Sequence, residues 1–144
     1  GMLHSIGELL IQLLAPQEAK KIQAAVEAGG KLASVEHSML GYTYADVGAE
    51  LAKRWKFPDE IAEGILYHCH EDLANLEQPL AGLLHLSLYV HTCHKMGLSA
   101  QETLNDFPLD IAKAIGMDTD KALSDLEHVD GIESGMDTLL EDIA

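Results

Sequence analysis

Four prolines punctuate this chain, and each stands at the head of a segment whose apolar residues recur at helical spacing. Proline has no N–H to donate and a φ already fixed near the helical value, so the first turn of a helix accommodates it and the interior does not. Ahead of Pro16, residues Leu3, Ile6, Leu10, Leu13 and Leu14 form one helical stripe. Behind it Ala19, Ile22 and Val26 form a second, with Lys20 and Lys21 outside, and Gly29-Gly30 ends that helix. A short third helix is expected over about 32–40. Thr43 with Asp46 three residues on reads as a capping box. Val47, Leu51 and Trp55 follow at four-residue steps, so the sequence predicts Trp55 as core. Pro58 is expected as the first residue of the next helix, on which Ile61, Ile65 and His68 share a face. After a polar stretch from Glu71 to Gln78, Pro79 opens the most apolar helix, which should be central and end near Gly97. Ser99 and Glu102 form another capping box. Pro108 opens a helix with Ile111, Ala112 and Ile115, and a last one is expected from about Asp118, with Leu123 and Leu126. No period-2 run with hairpin chemistry interrupts the series. The fold class is therefore all-α, a bundle of seven to nine helices.

The length of 144 residues suits one domain, and a 47% apolar content with mean hydropathy +0.02 suits a folded one. Gly1 before Met2 reads as a scar of tag removal, so the domain is taken as residues 2–144. Nine basic against 24 acidic residues give a net charge of −15, a field that repels nucleic-acid backbones and anionic membranes. Between Met117 and Ala144 nine acids face Lys121 alone, marking 117–144 as an acidic, helical C-terminal segment. In it Ile132, Met136, Leu139, Leu140 and Ile143 approach helical spacing, either as a docking helix or as a solvated helix packed on its own domain. Cys69 and Cys93 lie in helical contexts with no secretory leader, which fits reduced thiols in a cytoplasm. The longest apolar stretch, Leu80 to Val90, is too short to span a bilayer.

Eight histidines invite a metal reading, because neutral imidazole is a common ligand for zinc, iron and related ions. His68 and His70, two apart, point about 200° apart on a continuous helix and share an ion only if the helix ends between them. His91 and His94 share a face, either as ligands or as exposed histidines favoured by a helix C-terminus. His85 on the apolar helix reads as a satisfied core histidine, and His37 and His128 have no patterned partner. There is no phosphate loop, nucleophile elbow or zinc knuckle.

Glu36, Leu40-Gly41, Val47-Gly48-Ala49, Leu51, Arg54-Trp55, Phe57-Pro58, Ile61 and His68 together resemble the most recognisable stretch of the HDOD family, the HD-related output domains of bacterial signalling proteins. Upstream, Leu3-His4-Ser5-Ile6-Gly7 is similar to that family's L-H-D/N-I-G segment. Downstream, Leu83 to Leu88 resembles the helix that carries the last metal aspartate in catalytic relatives. The resemblance runs over most of residues 3 to 115 and is read as the family's C-terminal portion, its N-terminal helices being absent.

That resemblance implies an HD-domain-like helical bundle and a degenerate metal site. Catalytic HD phosphohydrolases hold one or two divalent ions on His and Asp ligands, and those ions activate water and clamp phosphoryl oxygens. Here His4, His68 and His70 remain as a remnant. Ser5 stands at the aspartate position, Tyr44 where many relatives have histidine, and Leu88 where the final aspartate would be. The reading that follows is a non-catalytic HDOD-type module of bacterial signal transduction, acting through protein contacts or ligand sensing and holding no cofactor. The alternative is a metal-dependent phosphohydrolase or phosphodiesterase in which His4, His68 and His70 hold a divalent ion. A third possibility is a degenerate subunit completing another protein's HD domain. Apolar faces left uncovered by the missing helices predict a homodimer or another protein partner.

Overall fold

The computed structural model describes residues 2–70, 72–122 and 124. After a 3-10 turn at Met2–Ser5 come α1 (Ile6–Leu14), α2 (Pro16–Glu27), α3 (Leu32–Leu40), α4 (Tyr44–Arg54) and α5 (Asp59–Tyr67). A 3-10 turn at Leu73–Asn75 leads to α6 (Pro79–Lys95), α7 (Ala100–Asn105) and α8 (Leu109–Ala114). No strand occurs among the described residues. The all-α class stands.

Local chemistry sets the boundaries. Thr43 and Asp46 cap α4 reciprocally, as do Ser99 and Glu102 for α7. Pro16 and Pro79 open α2 and α6 from inside, whereas Pro58 and Pro108 sit one residue earlier, at the caps of α5 and α8. There the carbonyl of Pro58 accepts from Ala62 N–H at 3.3 Å while its own ψ of 145° remains extended. Asp118 caps a further turn, its carboxylate accepting from Lys121 N–H at 3.1 Å. The expected acidic helix over 117–144, with Leu123, Leu126, His128 and the proposed docking residues, otherwise lies outside the described residues.

Two apolar clusters form. The first joins Ala49, Ala52, Ala62 and Ile65 from α4 and α5, with Leu3, Phe57, Ile61 and Leu66 around them. The second joins Leu73, Ala81, Leu86, Phe107, Ile111 and Ala112, with Tyr89, Val90 and Ile115 beside them. Helix α6 touches α5 on one side and α7 and α8 on the other, although its Leu80 and Leu83 remain exposed.

Trp55 is not core: it is 53% exposed at the cap of α4, its ring 6.4 Å from Phe57. The buried face of α4 is instead Ala45, Gly48, Ala49 and Ala52. Small residues let the helices approach closely. A Cβ on Gly7 would lie 1.9 Å from the Tyr44 carbonyl oxygen and 2.9 Å from the Gly48 nitrogen, so α1 and α4 cross almost backbone to backbone. This crossing fixes Tyr44, the first residue of α4, against the end of α5.

Candidate functional site

The junction between the two clusters is polar. Helix α5 ends at Tyr67, and its cap residue His68 is 2% exposed. The imidazole Nδ1 lies 2.6 Å from the carbonyl oxygen of Ile65. A carbonyl only accepts, so Nδ1 carries the proton and, in the neutral ring, Nε2 presents its lone pair. That lone pair faces the Tyr44 hydroxyl at 3.0 Å, which donates to it. Burial pushes the His68 pKa below its ordinary value, favouring this neutral form, and the nearby His4 and His85 act in the same direction. Tyr44 is held well above the usual phenol range by burial first, then by Cys69 and Glu36, so its hydroxyl keeps its proton.

Three further groups complete the junction. Glu36, 1% exposed in the middle of α3, accepts from the Tyr44 backbone N–H at 2.6 Å and so caps the first turn of α4. Burial raises its pKa, an effect the Tyr44 bond opposes. From α6, His85 Nδ1 donates to the His68 carbonyl oxygen at 2.7 Å. Cys69 is half-buried beside Tyr44, its thiol pushed up by burial and thus far from a reactive thiolate. This chain of bonds links α3, α4, α5 and α6.

The remnant residues are distributed unevenly. His4 stands edge-on to His68, ring centroids 5.9 Å apart, and also borders an apolar groove of about 360 Å³ lined by Leu3, Ile61, Leu80, Leu83 and Leu84. His70 is exposed and packs edge-on against Tyr67 at 5.5 Å, so the helix end separates it from buried His68. Ser5 follows His4 at the N-cap position of α1 without a side-chain capping bond, and Leu88 lines an open cavity of about 750 Å³ with Tyr44, His68, His70 and His85. His91, His94 and His37 are exposed. Among the described residues, no three His, Cys, Asp or Glu side chains are grouped to hold a metal ion. Nor is any described helix long and apolar enough to cross a membrane.

Sequence reasoning matched Glu36 to a family position without giving it a role. The signal was present: an acid in the middle of a short, partly apolar helix, eight residues before the start of a capped helix. The His85 bond to the His68 carbonyl has no sequence signature, because it joins residues 17 apart on different helices.

A scan against family models matches residues 1–71 to the HDOD domain. The match covers the N-terminal half of the chain rather than most of residues 3 to 115, and its position gives no support to a correspondence with only the family's C-terminal portion. A crystal structure at 1.62 Å resolution of a "putative phosphohydrolase" from Shewanella amazonensis SB2B is 32% identical, with a TM-score of 0.71 over 86% of this chain. The chain spans 46% of that protein's length. No curated protein matches it. The first half of the chain thus matches the HDOD domain, and the described structure as a whole is an all-helical HD-like bundle.

Proposed function

We propose that this chain is a non-catalytic HDOD-type regulatory module of bacterial, cytoplasmic signal transduction, which acts through protein contacts or by sensing a small ligand. The observation that carries this reading is the double engagement of His68. Its Nδ1–H is bound to a backbone carbonyl, and its lone pair, the feature a metal ion would need, is occupied by Tyr44. The other positions at which the family resemblance expects ligands offer a hydroxyl at Ser5, a phenol at Tyr44 and no donor at Leu88. None of these positions supplies a carboxylate, and the nearby Glu36 is already engaged by the Tyr44 N–H, so the donor set does not fit an HD-type centre. The exposed leucines of α1, among them Leu13 and Leu14 at 75% and 81%, are consistent with a protein partner or a homodimer.

The second reading is a metal-dependent phosphohydrolase, favoured by the name of the similar crystal structure. Elemental analysis of chelator-free protein, together with phosphodiester and nucleotide assays on the wild type and His4→Ala, separates the two. The regulatory reading expects sub-stoichiometric metal and no turnover. Stoichiometric metal with turnover lost in His4→Ala would overturn it. Light scattering at micromolar concentration tests the homodimer, which a monomer would contradict.

A further inference from the structure

The C-terminal end of α4 carries a surface that neither the fold nor the His68 junction uses. Trp55 is exposed there, and it is flanked by Lys53, Arg54 and Lys56, three of the nine cations in a chain of net charge −15. Arg54 is bound to Glu50 at 2.9 Å, but Lys53 and Lys56 make no ion pair among the described residues. Asp59 and Glu60 stand in the first turn of α5, where the helix dipole favours acids, and neither bonds to these lysines.

The rest of the chain supplies a control for this helix end. Helices α2, α4, α6 and α8 all stop in the same turn. In it the N–H of a positive-φ residue bonds to the carbonyl three residues back, and the next N–H bonds to the carbonyl five residues back. The positive-φ residue is Gly29 after α2, Gly97 after α6 and Gly116 after α8, but after α4 it is Lys56, at φ +58°. The bonds are alike: both are 3.0 Å at Lys56 and Phe57, against 3.0 and 2.9 Å at Gly116 and Met117. Glycine adopts this conformation freely and lysine does not, so the turn itself does not call for the exception. The dipole accounts for Lys53 and Arg54, which lie in the last turn of α4. It does not account for a third cation held beyond the helix in a disfavoured conformation, beside a bare indole. Backbone outliers of this kind point to a use outside the fold.

Tryptophan and cations together form the centre of many protein contacts. The average field of an acidic chain repels anions, so an anionic partner is held only where the sign reverses locally. At physiological salt a charge acts over about 8 Å, and a short carboxylate segment seated on the lysines meets mainly them. A nucleic-acid strand would carry its phosphates onto the acidic surface beyond, and the patch offers it one exposed ring instead of a row on which bases stack. We propose that the end of α4 binds a short acidic segment of a partner protein, which seats an apolar side chain on the Trp55 indole and carboxylates on Lys53 and Lys56. This specifies the protein-contact arm of the regulatory reading and rests on it, whereas metal content and turnover test that reading without this surface.

Trp55 is the chain's single tryptophan, so its fluorescence reports on this surface alone. The probe is a short synthetic peptide of glutamates with one central leucine, titrated into the full chain. Trp55 emission should shift to the blue with one-to-one saturation at low salt, and affinity should fall about tenfold towards 1 M, where the screening length is about 3 Å. Lys53→Glu with Lys56→Glu, two exposed substitutions whose folding is checked by circular dichroism, should weaken binding about tenfold. Lys20→Glu with Lys21→Glu, which makes the same change in net charge at exposed positions of α2, should bind as the wild type does. Lys56→Gly should bind about threefold more weakly while its folding constant rises about fivefold, a split that a merely structural lysine would not give. Absence of saturable binding would overturn the proposal, as would equal weakening in the two double variants or full affinity in Lys56→Gly. Tighter binding of a single-stranded oligonucleotide would also overturn it, and so would a blue shift that grows with protein concentration without peptide, because a second copy would then be the occupant. Any of these results, together with sub-stoichiometric metal and no turnover, would leave the regulatory reading standing.

Discussion

Between α1, α4 and α5 the chain packs glycine and alanine, whereas between α6, α7 and α8 it packs Leu86, Phe107 and Ile111. The first region depends on backbones in near contact, as at Gly7 and Gly48, and its tolerance is set by the space for a single methyl group. The second depends on side-chain volume, with Phe107 edge-on to Tyr89 at 5.9 Å and the Tyr89 hydroxyl donating to the Thr103 carbonyl. The two should therefore fail in opposite ways, the first by overfilling and the second by emptying. The family match ends at residue 71, close to where one style gives way to the other.

The largest expected effect is in the second region. Phe107→Ala removes a buried ring and should cost about 4 kcal/mol in urea unfolding, through lost transfer energy and the cavity left behind. Gly7→Ala, which adds only a methyl group, should cost about 3 kcal/mol because its Cβ meets the backbone of α4 and not a movable side chain. A neutral Gly7→Ala would show that the close crossing does not hold α1 on α4.

Smaller effects are expected at the junction. Tyr44→Phe leaves the buried His68 Nε2 without its donor and should cost about 1–2 kcal/mol. The same site gives stability a pH dependence. Burial lowers the folded-state pKa of His68, so below about 6.5 the unfolded chain takes up a proton at this residue that the folded chain resists. Stability should fall as pH drops through that value and level off once the folded form also protonates. A stability profile unaffected between pH 7 and 5 by His68→Gln would contradict this assignment.

The contrast also explains what could be read from the sequence. Helix starts were legible because their causes are local: Thr43 with Asp46, Ser99 with Glu102, and the prolines act within one turn. The buried side of α4 was not. Val47, Leu51 and Trp55 share a helical period with Ala45, Gly48, Ala49 and Ala52, and hydrophobicity alone favours the larger set. What buried the smaller one is the approach of α1 and α5, a tertiary fact carried by Gly7 on one side and by Ala62 and Ile65 on the other. In the junction, His4, Tyr44 and His68 could be picked out by family resemblance. The direction of their hydrogen bonds could not, since it depends on how Ile65, Glu36 and His85 converge from three helices.

The regulatory reading rests on a His68 lone pair already taken by Tyr44, and long-range ¹H–¹⁵N NMR of the imidazole observes that directly. The account predicts a neutral, Nδ1-protonated ring at pH 7 whose Nε2 shift shows an accepted hydrogen bond and stays unchanged when stoichiometric Mn²⁺-free Zn²⁺ or Mg²⁺ is added. A Nε2 resonance that moves on adding either ion, with the Tyr44 hydroxyl released, would contradict it.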